Sequence, residues 1–182
     1  MLRLHARFDR WQLARVRRAY VSATRRSSGA EGFDGLVEEM QRGLAEATEA
    51  QRRQADERVL RTIFFGRPSV FLLRTFARAS PRWGAWLMAA ASPATLRWLV
   101  GDIGVPVSGM NRVPRCRFRA AGGAALCLQV CQQPTEAFCA LEVVPVRLIP
   151  DAAGPGCTWV WGTPASDAPS EPATQHLDDA LT

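Results

Sequence analysis

The spacing of hydrophobic residues changes period near Val105, and that change restricts the fold more than any other feature of the chain. Before it, apolar side chains recur every three or four positions, as on one face of a helix. Leu36, Val37, Met40 and Leu44 form one such set, and Val59, Leu60, Ile63 and Phe64 form another. After it, short alternating segments take over. Cys157-Thr158-Trp159-Val160-Trp161 places Cys157, Trp159 and Trp161 on one face of a strand. Residues 143–149 are β-branched and proline-bounded, and Pro145 predicts an edge strand because it cannot donate to a ladder. Pro114-Arg115-Cys116-Arg117-Phe118-Arg119 alternates too and predicts a strand with its arginines outward. The expectation is an α+β fold: a helical part over residues 1–104, packed on a small α+β part over residues 105–162 with a short, mostly antiparallel sheet. Residues 163–182 read as an acidic, disordered tail, carrying Asp167, Glu171, Asp178 and Asp179 and no arginine.

Local signals divide the helical part. Small residues over 27–32 mark a loop. Thr48 with Gln51 has the capping-box spacing and starts a helix that ends at Gly66-Arg67-Pro68. Ser69 is placed to cap the next helix. Ser80-Pro81 and Ser92-Pro93 each have the cap-then-proline form of a helix start, and Gly101 closes the last helix.

All 23 basic residues are arginine, Asn111 is the sole asparagine, and the net charge is +6. On a helical wheel Arg3, Arg7, Arg10 and Arg17 gather on one side, and Phe8, Leu13, Val16, Ala19 and Tyr20 on the other, with Trp11 at the boundary. Such a helix suits an anionic membrane surface, or is simply a packing helix with a solvated arginine face. Nucleic acid is not the expected partner, because no basic segment carries interleaved aromatics at a recognisable spacing. The most apolar stretch, residues 70–100, is interrupted by Arg74, Arg78, Pro81, Arg82, Pro93 and Arg97, so no membrane span is expected. The N-terminus lacks the apolar core of a secretory signal, and five cysteines is an odd number, so reduced thiols in an intracellular setting are expected.

Cys127 and Cys131 stand four apart, one helical turn, which would present both sulfurs on one face. Two readings follow: a metal or redox pair, or two small apolar residues packed inward. His5 near the N-terminus and His176 in the tail read as surface residues, which disfavours a two-histidine, one-carboxylate iron site.

Several short runs occur in a particular order: Arg97-Trp98-Leu99-Val100-Gly101, Arg115-Cys116-Arg117-Phe118, Cys127 and Cys131 followed by Pro134-Thr135, residues 145–150, then Cys157 and Gly162. Together they resemble the C-terminal domain of the iron-dependent β-carotene isomerases of plants and algae, which open strigolactone biosynthesis. Phe8-Asp9-Arg10 and Gly32-Phe33-Asp34-Gly35 resemble the same family, so the likeness runs from about Phe8 to Gly162. The departures are specific. Gly123 stands where the family has a further cysteine, Asp151-Ala152-Ala153-Gly154 replaces an Asn-Phe-Glu-Asp run, Glu136 replaces a glutamine, and the tail has no counterpart of a last family cysteine.

The resemblance implies an isomerase that interconverts all-trans- and 9-cis-β-carotene at a membrane surface with bound iron. It implies a plastid setting in a plant or alga and a cytoplasmic one otherwise; the few residues before Phe8 leave no room for a transit peptide. Rotating one double bond of a polyene needs neither water nor a leaving group, so acid–base residues are not its signature. The bond order must fall transiently, through electron exchange with iron or reversible addition of a thiolate. Soft sulfur ligands suit iron, which makes Cys116, Cys127, Cys131 and Cys157 the expected ligands. Cys116 and Cys131 are the expected catalytic thiols, Cys116 because Arg115 and Arg117 flank it. Trp98, Phe138, Trp159 and Trp161 are expected to line an apolar substrate slot. Two other readings stay open: a non-catalytic lipid- or carotenoid-binding relative that has lost part of the metal site, and a cysteine-ligated iron–sulfur or redox module.

Overall fold

The computed structural model describes residues 2–163. The side chains of Arg3 and His5, and with them His176 and the acidic tail from residue 164, lie outside the described residues. Five helices come first: α1 (Leu2–Thr24), α2 (Gly32–Glu46), α3 (Glu49–Ile63), α4 (Arg67–Ala79) and α5 (Pro81–Val100). Strand β1 (Met110–Val113) follows, then α6 (Arg117–Leu126), a π-helical turn (Cys127–Gln132), α7 (Gln133–Glu142), and the strands β2 (Val146–Pro150) and β3 (Cys157–Trp161). This is the expected α+β arrangement of a helical N-terminal part with a small antiparallel sheet.

The sheet order is β1-β3-β2, with both pairings antiparallel. Strand β3 is therefore central, and its alternation buries Cys157, Trp159 and Trp161 against the helices. Strand β2 is an edge, as Pro145 predicts. Its exposed backbone is covered from outside the sheet: Gln132 Nε2 donates to the Leu148 carbonyl at 3.0 Å, and the Leu148 N–H donates to Glu136 Oε1 at 2.7 Å. One hydrophobic core runs without a break from Val16 through Leu36, Leu60, Leu96 and Phe118 to Trp161, so the two parts share it.

The capping box at Thr48 and Gln51 forms, and Gly101 closes α5 at a φ of 92°. Three local expectations are corrected. Residues 114–119 are not a strand: the ladder ends at Val113, Cys116 is the N-cap of α6, and the arginines at 117 and 119 lie in its first turn. Ser69 does not cap α4, which starts after Gly66 with Pro68 in its first turn. Ser92-Pro93 does not start a helix, because α5 passes through Pro93. Proline has no N–H for the carbonyl four residues back, and here that carbonyl, on Ala89, accepts a hydrogen bond from Asn111 Nδ2 at 3.0 Å.

Helix α1 packs on α2 and α3. Arg7 and Arg10 are exposed, but Arg17 is not part of a free arginine face. Its guanidinium grips the buried Glu39 carboxylate at 2.6 Å and the Ala30 carbonyl at 2.9 Å. Gly35 permits this approach, since a Cβ there would fall 2.6 Å from the guanidinium.

Candidate functional site

Four of the five cysteines come together where α6, the π-helical turn and β3 meet. Cys116 caps α6, and its N–H donates to the Pro155 carbonyl at 2.8 Å, which brings the start of β3 alongside. Cys157 opens β3, paired with Val113 on one side and Pro150 on the other. Cys127 and Cys131 lie on the π-helical turn. In every pair among these four thiols one is close enough to raise the other's hold on its proton. Cys139 stands apart, fully buried in α7 and sensing only Glu136.

The chain enters the π-helical turn through a break. Gly123 sits within α6 at φ 77°, ψ −176°, a conformation open in practice only to glycine. A side chain at 123 would be strained whatever the space around it, so the local backbone here is built for glycine. A π-turn adds about one residue per turn and is frequent at functional sites. It spaces Cys127 and Cys131 differently from the ordinary helical turn that their separation predicts.

The electrostatics differ from the expectation for a reactive thiolate. Burial is the leading influence on all four thiols and raises each above its ordinary value near 9, Cys131 well above it and Cys157 to about 12. Arg115 and Arg117 do not activate Cys116. Both are exposed, and the Arg117 guanidinium lies 3.9 Å from the centre of the Phe33 ring. The cation that favours the thiolates at Cys116, Cys127 and Cys157 is Arg119, whose guanidinium donates to the Gly156 carbonyl at 3.3 Å. Burial outweighs it at every one of them. The thiols are therefore held protonated near neutral pH.

Two narrow apolar clefts, each of roughly 40 Å³, meet at Cys131. One runs between α3 and the π-helical turn and is lined by Leu60, Leu99, Phe118 and Val130, with Asp56 on its wall. The other runs toward the sheet and is lined by Phe64, Leu148, Trp159 and Trp161. A wider groove of about 230 Å³ between α4 and α5 shares Ile63, Phe64 and Leu96 with the second cleft. Of the aromatics expected in a slot, Trp159 and Trp161 line it. Phe138 does not line it and stacks on Phe64 at 5.7 Å, and Trp98 is buried with its indole N–H on the Thr95 carbonyl.

Asp56 and Arg119 were not singled out by the sequence. Asp56 has a carboxyl pushed up to about 6, mainly by burial and against the pull of Arg52. Its only sequence signal is a place on the apolar side of α3, next to Ala55 and three residues before Val59. Asp151, in the loop between β2 and β3, is committed to Arg112, which meets it with two N–H groups, one at 2.6 Å. Among the described residues no three His, Cys, Asp or Glu side chains form a group that could hold a metal ion. No family model, curated protein or solved structure matches the chain.

Proposed function

We propose that the protein is a carotenoid cis/trans isomerase of the β-carotene isomerase type, acting on an apolar polyene at a membrane surface with iron bound by cysteine. The observation that carries this reading is that Cys116, Cys127 and Cys157 lie near Cys131, which lines two apolar clefts. Four sulfurs drawn from three elements are the right kind of donor for iron. They are near one another without being closed into a ligand set, so binding has to draw them together and displace protons that burial retains. Bound iron would supply the one-electron exchange that lowers the bond order of the target double bond.

The chain's own residues would do the rest. Leu60, Ile63, Phe64 and Leu99 on one side and Trp159 and Trp161 on the other offer a polyene no hydrogen bond, so the substrate is oriented by shape. Cys131 lines both clefts and is the thiol nearest to anything they admit. At their present width the inner clefts take only small groups, so a polyene must part α3 from the π-helical turn to reach it.

A second reading is favoured by Gly123 and Asp151. One occupies a cysteine position with a glycine-only backbone, and the other is tied to Arg112, as in a lipid-binding relative that has lost the metal site.

The test is to purify the protein anaerobically, quantify iron, and incubate it with all-trans-β-carotene in micelles, resolving the isomers chromatographically. Iron with protein-dependent approach to a cis/trans mixture is the expected result. Carotenoid binding with no iron and no turnover selects the second reading, and neither binding nor turnover overturns both for this substrate.

A further inference from the structure

Helices α4 and α5 form a hairpin whose outer faces are apolar and are covered by none of the described residues. Phe71 is 67% exposed, Leu72 66%, Trp83 64% and Trp86 55%, and Phe76 and Leu87 are exposed beside them. Trp83 and Trp86 meet edge to face at 5.8 Å. Soluble surfaces seldom leave so many large apolar groups together without a partner. The charge around them has one sign. Between Glu57 and Asp102 the sequence has no acidic residue, and Arg67, Arg78 and Arg82 on the hairpin are exposed with no carboxylate partner among the described residues. Among the described residues two acids outside the hairpin reach it: Glu142 of α7, 3.6 Å from Arg74, and Asp102 just after α5, 4.0 Å from Arg97.

We propose that the α4–α5 hairpin is the face on which the protein docks to an anionic lipid bilayer. Phenylalanine, leucine and tryptophan enter the acyl boundary and the arginines meet lipid phosphates, the combination that holds an interfacial helix in place. The inference rests on the membrane-surface part of the function above and moves the contact away from α1. There Arg17 is bound to Glu39, Asp9 shares the helix with Arg7 and Arg10, and the Arg15 guanidinium covers the Trp11 ring at 4.4 Å. The placement also gives an apolar substrate a path. The groove between α4 and α5, lined by Leu73, Leu87 and Met88, opens beside the exposed side chains and leads through Phe64 and Leu96 to the cleft at Cys131.

The test is co-sedimentation of the full chain with vesicles of phosphatidylcholine alone or mixed with phosphatidylglycerol. The wild type is expected to sediment with the mixed vesicles, more weakly with the neutral ones, and less as salt is raised. Trp83→Ser with Trp86→Ser, and separately Arg78→Glu with Arg82→Glu, should lower partitioning roughly tenfold or more. Unchanged circular dichroism melts would show that these exposed changes leave the fold intact. Arg7→Glu with Arg10→Glu should bind as the wild type does. Hairpin variants that bind as well as the wild type, loss confined to the α1 variant, or a wild-type dimer that the Trp83→Ser, Trp86→Ser variant dissociates would each overturn the proposal. Turnover is scored separately in micelles: vesicle binding without isomerisation leaves the docking face standing and sinks the isomerase reading.

Discussion

Asn111 shows how much one side chain carries in this fold. It is buried, its amide N–H serves the Ala89 carbonyl that Pro93 leaves without a partner, and its carbonyl accepts the Trp161 indole N–H at 3.1 Å. One residue thus repairs a helix, fixes β1 against it and orients the last tryptophan of β3. Asn111→Ala leaves two buried polar groups unmade, so it should lower unfolding free energy in urea by about 2–4 kcal/mol. A loss below 0.5 kcal/mol would mean that water or a shifted helix serves both groups. Asp56 is the opposite kind of residue, one that costs stability. Its folded carboxyl, raised to about 6, keeps a proton that the unfolded chain gives up near pH 4. Its contribution is therefore complete below about pH 4 and is lost as pH rises to about 6. Asp56→Asn mimics the protonated form, so it should match the wild type near pH 4 and exceed it by about 1–3 kcal/mol at pH 7. Equal stabilities at pH 7 would show that the carboxylate is well solvated.

At the scale of elements, the π-helical turn and the break before it define the site. Gly123 holds a backbone that a Cβ strains whatever the surrounding space, and nothing lies within 4 Å of that Cβ. Gly123→Ala should therefore cost about 1–3 kcal/mol through the backbone alone, measured as a lowered urea midpoint with an unchanged slope. A neutral result would mean that α6 can continue straight into the turn. The same elements show what the sequence can and cannot display. The capping box at Thr48, the edge proline at 145 and the alternation of Cys157, Trp159 and Trp161 are local, and each was legible. The alternation at 114–119 was legible too and misleading, because the Cys116 N–H is taken by Pro155 across the fold and the segment turns into a helix instead of extending a ladder. Helix α5 reads as two helices because the group that repairs it, Asn111, lies 22 residues from Ala89 in sequence. Within the site, the four thiols could be listed from the resemblance, but their convergence, Arg119 as the nearby cation and Asp56 on the cleft wall depend on helices meeting far apart in sequence. Periodicity marks Trp83 and Trp86 as apolar and cannot say that no element covers them.

For the whole molecule, the burial of so many titratable groups near one core sets a limit on the high-pH side. All five cysteines have raised folded values, and Tyr20, its hydroxyl buried and on the Met40 carbonyl, is raised from 10 to about 12. The unfolded chain releases thiol protons near pH 9, while the folded chain keeps them. The stabilisation is thus complete below about pH 9 and drains away as pH climbs toward 12. Each proton retained on folding costs about 1.4 kcal/mol per pH unit over that window. With thiols on α6, the π-helical turn, α7 and β3 acting together, the metal-free protein should unfold at sharply lower urea concentration at pH 10.5 than at pH 8, in one transition because the core is continuous. Cys139→Ala isolates one term without touching the four clustered thiols. It should cost about 1 kcal/mol at pH 8 for the lost packing, yet lose stability more slowly with pH, so that its curve crosses the wild-type curve before pH 10.5. Parallel curves would show that Cys139 ionises in the folded state as easily as in the unfolded one, and that the interior around α7 admits water.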